Sequence, residues 1–285
     1  MSTIASYQDP VAKLIYIEEQ TSWNDKQWLD YINRFGLSTA DLPELIRLIS
    51  DDELVDDDVD DDNDSEIAFY EIHVLRAVFQ IDIETGINLY IDQLKKFPND
   101  DYLHEEIHGI VRHAGAIVIA PFTQVLTDNT QDERLRVTLA NGLEEIGKTH
   151  PECREACVNS LTTQLQNYHV QDGDYLNSTL VSNLIQLKAV EAVDLIEQVF
   201  TNRELDEWCT GSWAAAQVSL GLKQESDFSP EELKPKPSEK ILAIREMINN
   251  LEKLIALEEQ KKRSSIPKKP AAKGFGSSKS KKKKR

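Results

Sequence analysis

The sequence predicts an all-α fold made of stacked helix pairs, and three observations carry that expectation. From Ser65 to Leu222 apolar residues recur at helical spacing, and no alternating segment is long enough to commit to a strand. The same stretch repeats itself, most clearly in APFTQVLTDNTQDERLRVTLANGLEEIG at residues 120–147. Polar or glycine-bearing turns punctuate the copies at intervals that suit one helix pair each.

Taken in order, residues 1–64 read as N-terminal helices followed by an acidic loop. Apolar spacing through WLDYINRFG is helical and stops at Gly36, a terminator. LSTADLPELIRLIS restarts a helix, with Thr39 and Asp41 as cap candidates and Pro43 in the first turn. From Asp51 to Glu66 eleven of sixteen residues are acidic, a density that favours a solvated loop over a packed element.

Residues 65–222 form the repeat region. In the clearest copy a first helix, Pro121 to Leu126, should bury Phe122, Val125 and Leu126. A turn with Asp128 follows, then a second helix with Leu135, Leu139, Leu143 and Ile146 inward, ending at Gly147. Phe79, Gly115, Lys188 and Gly221 hold the position of Gly147 in weaker copies, giving intervals of 36, 32, 41 and 33 residues. Two helices of this size cannot bury their apolar faces alone, so the copies are expected to stack into a right-handed superhelix.

LRVTLANGLEEIG resembles the second helix of a HEAT-type repeat of the short, PBS-lyase-like variety. Leu135-Arg136 stands for the Val-Arg pair, and Gly142-Leu143 with Ile146-Gly147 for the Ala-Leu and Ile-Gly pairs. The order of LDYINRFGLSTADLPELIRLISDDEL, IHVLRAVFQI, EEIGKTHPECREACV and LIQLKAVEAVDLIEQVF is similar to an uncharacterised bacterial family of HEAT-like proteins frequent in cyanobacteria. The resemblance spans about residues 10–222. It implies a HEAT-like α-α solenoid and little chemistry, and the first copy departs from the pattern at Phe79.

Beyond Leu222 the composition shifts. Residues 223–237 read as a Pro- and charge-rich linker. In 238–263 Ser238 can cap a helix whose Ile241, Ile244, Ile248, Leu251 and Ile255 form a short a/d stripe. That helix either caps the last repeat or pairs with a partner. Residues 264–285 are low-complexity, lack core-forming side chains and read as disordered. The net charge of −18 hides a split: residues 261–285 hold twelve Lys or Arg and no acid, leaving 20 basic against 50 acidic side chains before them. An acidic body repels polyanions, whereas Lys281, Lys282, Lys283, Lys284 and Arg285 are candidate polyanion contacts. The alternative for the tail is a solvated terminus without a partner.

Three constellations invite chemistry. HEEIH, His104 to His108, has zinc-peptidase spacing, but no third ligand follows and Glu106 adds a charge, so an exposed helix start is expected. His150, Cys153 and Cys157, with Cys209 as a possible fourth group, form an incomplete metal set; structural burial suits Cys157. Asp60, Asp62, Asp64, Ile67 and Glu71 match the calcium-loop positions except that Ser65 replaces the glycine, a cheap coincidence in an acidic run. No P-loop, GxGxxG, nucleophile elbow or CxxC pair occurs.

These readings imply no catalytic residue, cofactor or metal. The longest apolar run, Ala114 to Phe122, is too short for a bilayer, and the first ten residues lack a secretory pattern. Three cysteines without framework spacing fit a reducing, cytoplasmic setting. The expected function is a non-catalytic scaffold offering a concave helix face to a protein partner. The rivals are a phycobilin-lyase-like chromophore attachment factor, which the 7% aromatic content disfavours, and a tail-mediated nucleic-acid or ribosome-associated protein.

Overall fold

The computed structural model describes residues 7–17, 28–51, 69–170 and 174–237, together with Leu242 and Met247. The described residues are all-α and contain no strand. The chain divides into two units, 1–236 and 237–285. In the second, Leu242 and Met247 are helical and exposed. The proposed stripe from Ile241 to Ile255, the tail 264–285 with Lys281 to Arg285, and the acidic stretch 52–66 lie outside the described residues.

The first unit opens with a 3-10 turn, Val11–Tyr16, followed by helices α1 (Tyr31–Phe35), α2 (Leu42–Ile49) and α3 (Phe69–Ile81). Gly36 ends α1 in the left-handed region at φ 78°, as its position in WLDYINRFG predicts. The next start differs from expectation. Ser38, not Thr39, accepts the backbone bond, and Asp41 is its capping-box partner, donated to by Ser38 N at 2.8 Å. Ser38 and Asp41 stand three residues apart, the spacing a reciprocal box needs. Helix α2 then runs with Pro43 in its first turn, where a missing N–H costs nothing.

From here the helices come in pairs. The first helices are α4 (Ile83–Lys96), α7 (Ile119–Leu126), α9 (Arg154–Leu165) and α11 (Val193–Asn202). The second are α5 (Asp101–Glu105) continued by α6 (Ile107–Ala114), α8 (Glu133–Thr149), α10 (Tyr175–Gln186), and α12 (Glu207–Thr210) continued by α13 (Trp213–Ser219). Each second helix packs on the next: α6 on α8, α8 on α10, and α10 on α12 and α13. Helices α7 and α9 lie against α8, and α9 also against α10. The predicted faces are inward, with Phe122, Leu126, Leu135, Leu139, Leu143 and Ile146 fully buried and Val125 partly so.

The aligned position of Gly147 resolves into two kinds of site. Gly115, Lys188 and Gly221 have positive φ (58°, 55° and 78°) and stop α6, α10 and α13. Gly147 and Phe79 sit inside helices that continue two residues further, so neither is a terminator. Gly147 serves packing instead: a Cβ there would lie 2.8 Å from Leu187 Cδ2 and 3.3 Å from Cys157 Cβ. Gly142 admits Ile107 and Phe122, each 2.9 Å from the position a Cβ would take.

Side-chain bonds tie each pair to the next at both edges. At the edge where first helices turn into second ones, Arg134 pairs with Asp101, and Glu133 Oε1 accepts from Leu176 N at 3.2 Å. Further along, Arg203 Nε donates to Asp174 (2.6 Å) and Asp206 N to Ser178 Oγ (2.9 Å). At the opposite edge Arg154 donates to the carbonyls of Leu187 and Lys188, and Lys188 Nζ to the carbonyl of Ser219. These cations meet carbonyls just past the end of α10 and at the last residue of α13, the negative ends of those helices. Residues 223–236 also bond back, Ser212 Oγ donating to Glu232 O (2.6 Å) and Lys236 N to Glu207 Oε2 (2.6 Å).

Two glycine substitutions separate packing from backbone strain. Gly142→Ala should cost about 1–3 kcal/mol by overpacking against Ile107 and Phe122. Gly221→Ala, with open space around it, should cost about 1–2 kcal/mol from its left-handed backbone alone. Urea unfolding of both variants checks this, and Gly221→Asn should recover part of the loss whereas Gly142→Asn should worsen it.

Candidate functional site

Within HEEIH, the first constellation singled out in the sequence, the side chains serve packing. His104 is buried, with Nδ1 2.6 Å from Thr138 Oγ1 and Nε2 2.9 Å from the carbonyl of Pro98. Both ring nitrogens are thus engaged within the protein. His108 faces the next helix, its Nδ1 2.5 Å from Glu145. HEEIH is therefore not the exposed helix start its sequence suggests. Its first histidine and Glu106 point into the core, and only His108 and Glu105 stay outside.

Cys157 is fully buried on α9, and burial raises its thiol pKa to about 11. Cys209 is exposed beside Ser178 and Ser182 of α10. Among the described residues no three His, Cys, Asp or Glu side chains converge as a metal group. Asp60, Asp62, Asp64 and Ile67 lie outside the described residues, and Glu71 is buried in the first turn of α3.

The densest polar chemistry is a closed cluster between α3 and α6. Arg76 donates to Glu106 through two parallel bonds, Nε to Oε1 at 2.8 Å and Nη2 to Oε2 at 2.7 Å, with both side chains 3% exposed. Trp28 covers the pair, its ring centroid 5.4 Å from the guanidinium carbon. His113 stacks on Trp28 with centroids 3.8 Å apart, and Phe79 meets it edge-on. Gly109 makes room, since a Cβ would lie 2.8 Å from Trp28 Nε1 and 2.9 Å from Glu106 Oε1. Beside this, Tyr31 Oη lies 2.7 Å from His73 Nδ1, and Gln80 bonds both Tyr31 N and the carbonyl of Leu29. Near Glu106, burial pushes the Tyr90 hydroxyl well above its usual pKa, and it donates to the carbonyl of Leu103.

A bidentate Arg–carboxylate pair holds geometry, and at this burial each charge serves mainly to neutralise the other. The cluster fastens residues 28–31 to α3 and α6. Its sequence signal is IHVLRAVF, in which His73 and Arg76 interrupt an apolar run that is buried all round. The partners are distant in sequence: Trp28 is unmarked, and Glu106 stands inside HEEIH.

The groups that face solvent gather elsewhere. The second helices open at Asp100, Asp132, Asp174 and Asp206, one in the middle of each pair. Asp100, Asp132 and Asp206 cap their helices by accepting backbone N–H bonds, and Asp174 takes Arg203. Just inside these caps stand Tyr102, Tyr175 and Trp208, exposed by 52%, 55% and 60%. Among the described residues, the one other aromatic side chain of comparable exposure is Tyr16. Among the described residues, the four turns at this edge, 97–102, 127–134, 166–170 with 174–175, and 201–208, contain nine Asp or Glu against Arg134 and Arg203. In the second turn Asp128 is held down to about 2 by bonds from the Thr130 hydroxyl, the Gln131 amide and the Thr130 N–H. The opposite turns, 115–118, 148–154, 187–192 and 220–223, carry Glu152 and Glu191 against Lys148, Arg154, Lys188 and Lys223. Sequence reading missed this edge because each aromatic is unremarkable alone and only the packing of successive pairs brings their turns to one edge.

The stretch Asp101–Leu126 is, by length and composition, apolar enough to cross a membrane. It is broken at Glu106 and by the left-handed Gly115, and α6 and α7 within it pack on α8. Comparison with protein-family models, curated proteins and solved structures finds no match to this chain.

The buried pair and the histidines give two measurable consequences. Glu106→Ala should cost about 3–5 kcal/mol by taking the bidentate partner from buried Arg76, and Arg76→Met with Glu106→Leu should recover much of it. For the histidines, burial lowers the His104 and His113 pKa values, whereas the bond to Glu145 raises that of His108. His104 and His113 therefore stabilise the fold above the unfolded value of about 6.5 and lose that contribution as pH falls through their lowered values. His108 acts oppositely, stabilising below about 6.5 and losing that contribution as pH rises through its raised value. Of these three imidazoles His108 should titrate highest, and His104 titrating above about 6.5 would contradict its burial between Thr138 and Pro98.

Proposed function

We propose that this chain is a non-catalytic scaffold: a short HEAT-like solenoid that binds a protein partner along the edge bearing Tyr102, Tyr175 and Trp208. The carrying observation is that an exposed ring stands in the first turn of the second helix in three of the four pairs, with Arg134 at that place in the second pair. Aromatic side chains supply much of the binding energy at protein interfaces, and repeat proteins space their contacts by stacking. The succession of second helices and the links spaced about one repeat apart support a superhelical stack over about residues 65–222. The reading moves the partner from inner helix faces to an edge, because there the large exposed rings lie.

A non-enzymatic role is supported by the internal pairing of the chemistry-bearing side chains: Arg76 with Glu106, Tyr31 with His73, His104 with Thr138. Three unpaired cysteines suit a reducing cytoplasm. The tail from Lys281 to Arg285 adds weak polyanion contacts through counterion release.

Photo-cross-linkers placed at 175 and 208, and for contrast at 117 and 190 on the opposite edge, test the scaffold reading in the native host. One discrete partner captured at 175 and 208 and absent at 117 and 190 is expected. Capture confined to 117 and 190 would move the interface and refute the edge. For the tail, labelled RNA should bind the full chain at low salt and lose most of that binding near physiological salt. Equal binding by a chain ending at Gln260 would remove the tail from the account.

A further inference from the structure

We infer that the aromatic edge takes an extended peptide bearing Lys or Arg at about every third residue, lying across the four turns from Tyr102 to Trp208. This rests on the scaffold reading and names the chemistry of its partner.

Three features specify that occupant. The first is charge: among the described residues nine carboxylates, of which Asp100 is buried, stand in these turns against two arginines, with Lys95 and Lys96 of α4 bounding them at the first pair. The first helices also end here, so α4, α7, α9 and α11 direct their carbonyl ends toward this edge, while aspartates cover the N-terminal ends of α5, α8 and α12. Both effects favour cations and disfavour an anionic ligand.

The second is the rings themselves. Tyr and Trp faces attract guanidinium and ammonium groups and cover their aliphatic stems. The protein makes this contact internally, with the Arg47 guanidinium carbon 4.0 Å from the Tyr7 ring centroid. Tyr102, Tyr175 and Trp208 are more than half exposed beside Asp101, Glu133 and Glu207, and the second pair carries Arg134 at this place. Those carboxylates already accept bonds from Arg134, Leu176 N and Lys236 N. An ionised carboxylate offers about four acceptor sites, so one such bond leaves capacity for a second cation.

The third is spacing. Packed helices stand about 8–10 Å apart, and an extended chain advances about 3.3 Å per residue, so one residue in three meets each helix pair. Three steps from α5 to α12 correspond to about nine residues. A helical ligand, rising about 1.5 Å per residue, would need roughly twice that length to touch the same rings.

The test uses the full chain and a fluorescein-labelled dodecapeptide with Arg at every third position and Gly or Ser elsewhere. Fluorescence anisotropy should show saturable one-to-one binding, and the matching peptide with Glu in place of Arg should not bind. Each ring removed should weaken binding about threefold, so Tyr175→Ala with Trp208→Ala should weaken it about tenfold. Circular dichroism of the double variant should be unchanged, since both side chains are exposed. Glu133→Gln with Glu207→Gln, which keep acceptors for Leu176 N and Lys236 N, should lower both affinity and its salt dependence. Binding that ignores the rings and vanishes with salt would reduce the edge to a diffuse anionic surface and overturn the inference. No saturable binding, or equal binding of the Glu peptide, would also overturn it. Self-association lost on Trp208→Ala would assign the edge to a second copy instead. A partner cross-linked at 175 and 208 that lacks such a basic segment would leave the scaffold reading standing while this inference falls.

Discussion

Close approach to α8 is the constraint on which the rest of the fold depends. Ten of its residues are buried, including Arg136, Gly142 and Gly147, because α6, α7, α9 and α10 all pack on it. That is possible only where the helix presents small surfaces: Gly142 toward Ile107 and Phe122, Gly147 toward Leu187 and Cys157. Larger side chains there would separate the helices by more than side-chain adjustment can absorb. Arg136 completes the arrangement from inside, donating Nε to the carbonyl of Leu126 (2.9 Å) and Nη2 to Asn129 (3.0 Å), so α8 caps the helix paired with it.

Once α8 is fixed, each pair positions the next through bonds that reach about one repeat along the chain. Thr138 receives His104, Glu145 meets His108, and Asn183 donates to Asn141. Individually such bonds contribute little, about 0.5–1.5 kcal/mol each. Collectively they set register, because a slipped pair would leave the buried His104 Nδ1 without Thr138. The same register brings Tyr102, Tyr175 and Trp208 to one edge, so the proposed binding surface is a by-product of stacking and needs no dedicated loop.

Helix content and the inward faces of α7 and α8 were legible because a 3.6-residue apolar period survives any tertiary context. Termination was half legible. A glycine in a repeat can stop a helix, as Gly115 and Gly221 do, or admit a neighbour, as Gly147 does, and the sequence looks alike in both cases. Lys188 shows the converse, a left-handed stop without glycine, held where its ammonium reaches the carbonyl of Ser219. The buried cluster was harder to read. Arg76 in an apolar run demands a buried partner, yet Glu106 is 30 residues away inside a motif that suggested metal chemistry. The acidic edge was invisible because it exists only after the turns are brought side by side.

The central claim is that α8 anchors the stack and that stability declines away from it. Hydrogen exchange of the full chain, followed by mass spectrometry, measures this directly, since protection reports the free energy of local opening. Peptides from α8 and α10 should exchange slowest and together, with α11 and residues 223–236 opening first. An α8 that exchanged as fast as α11 would contradict the account.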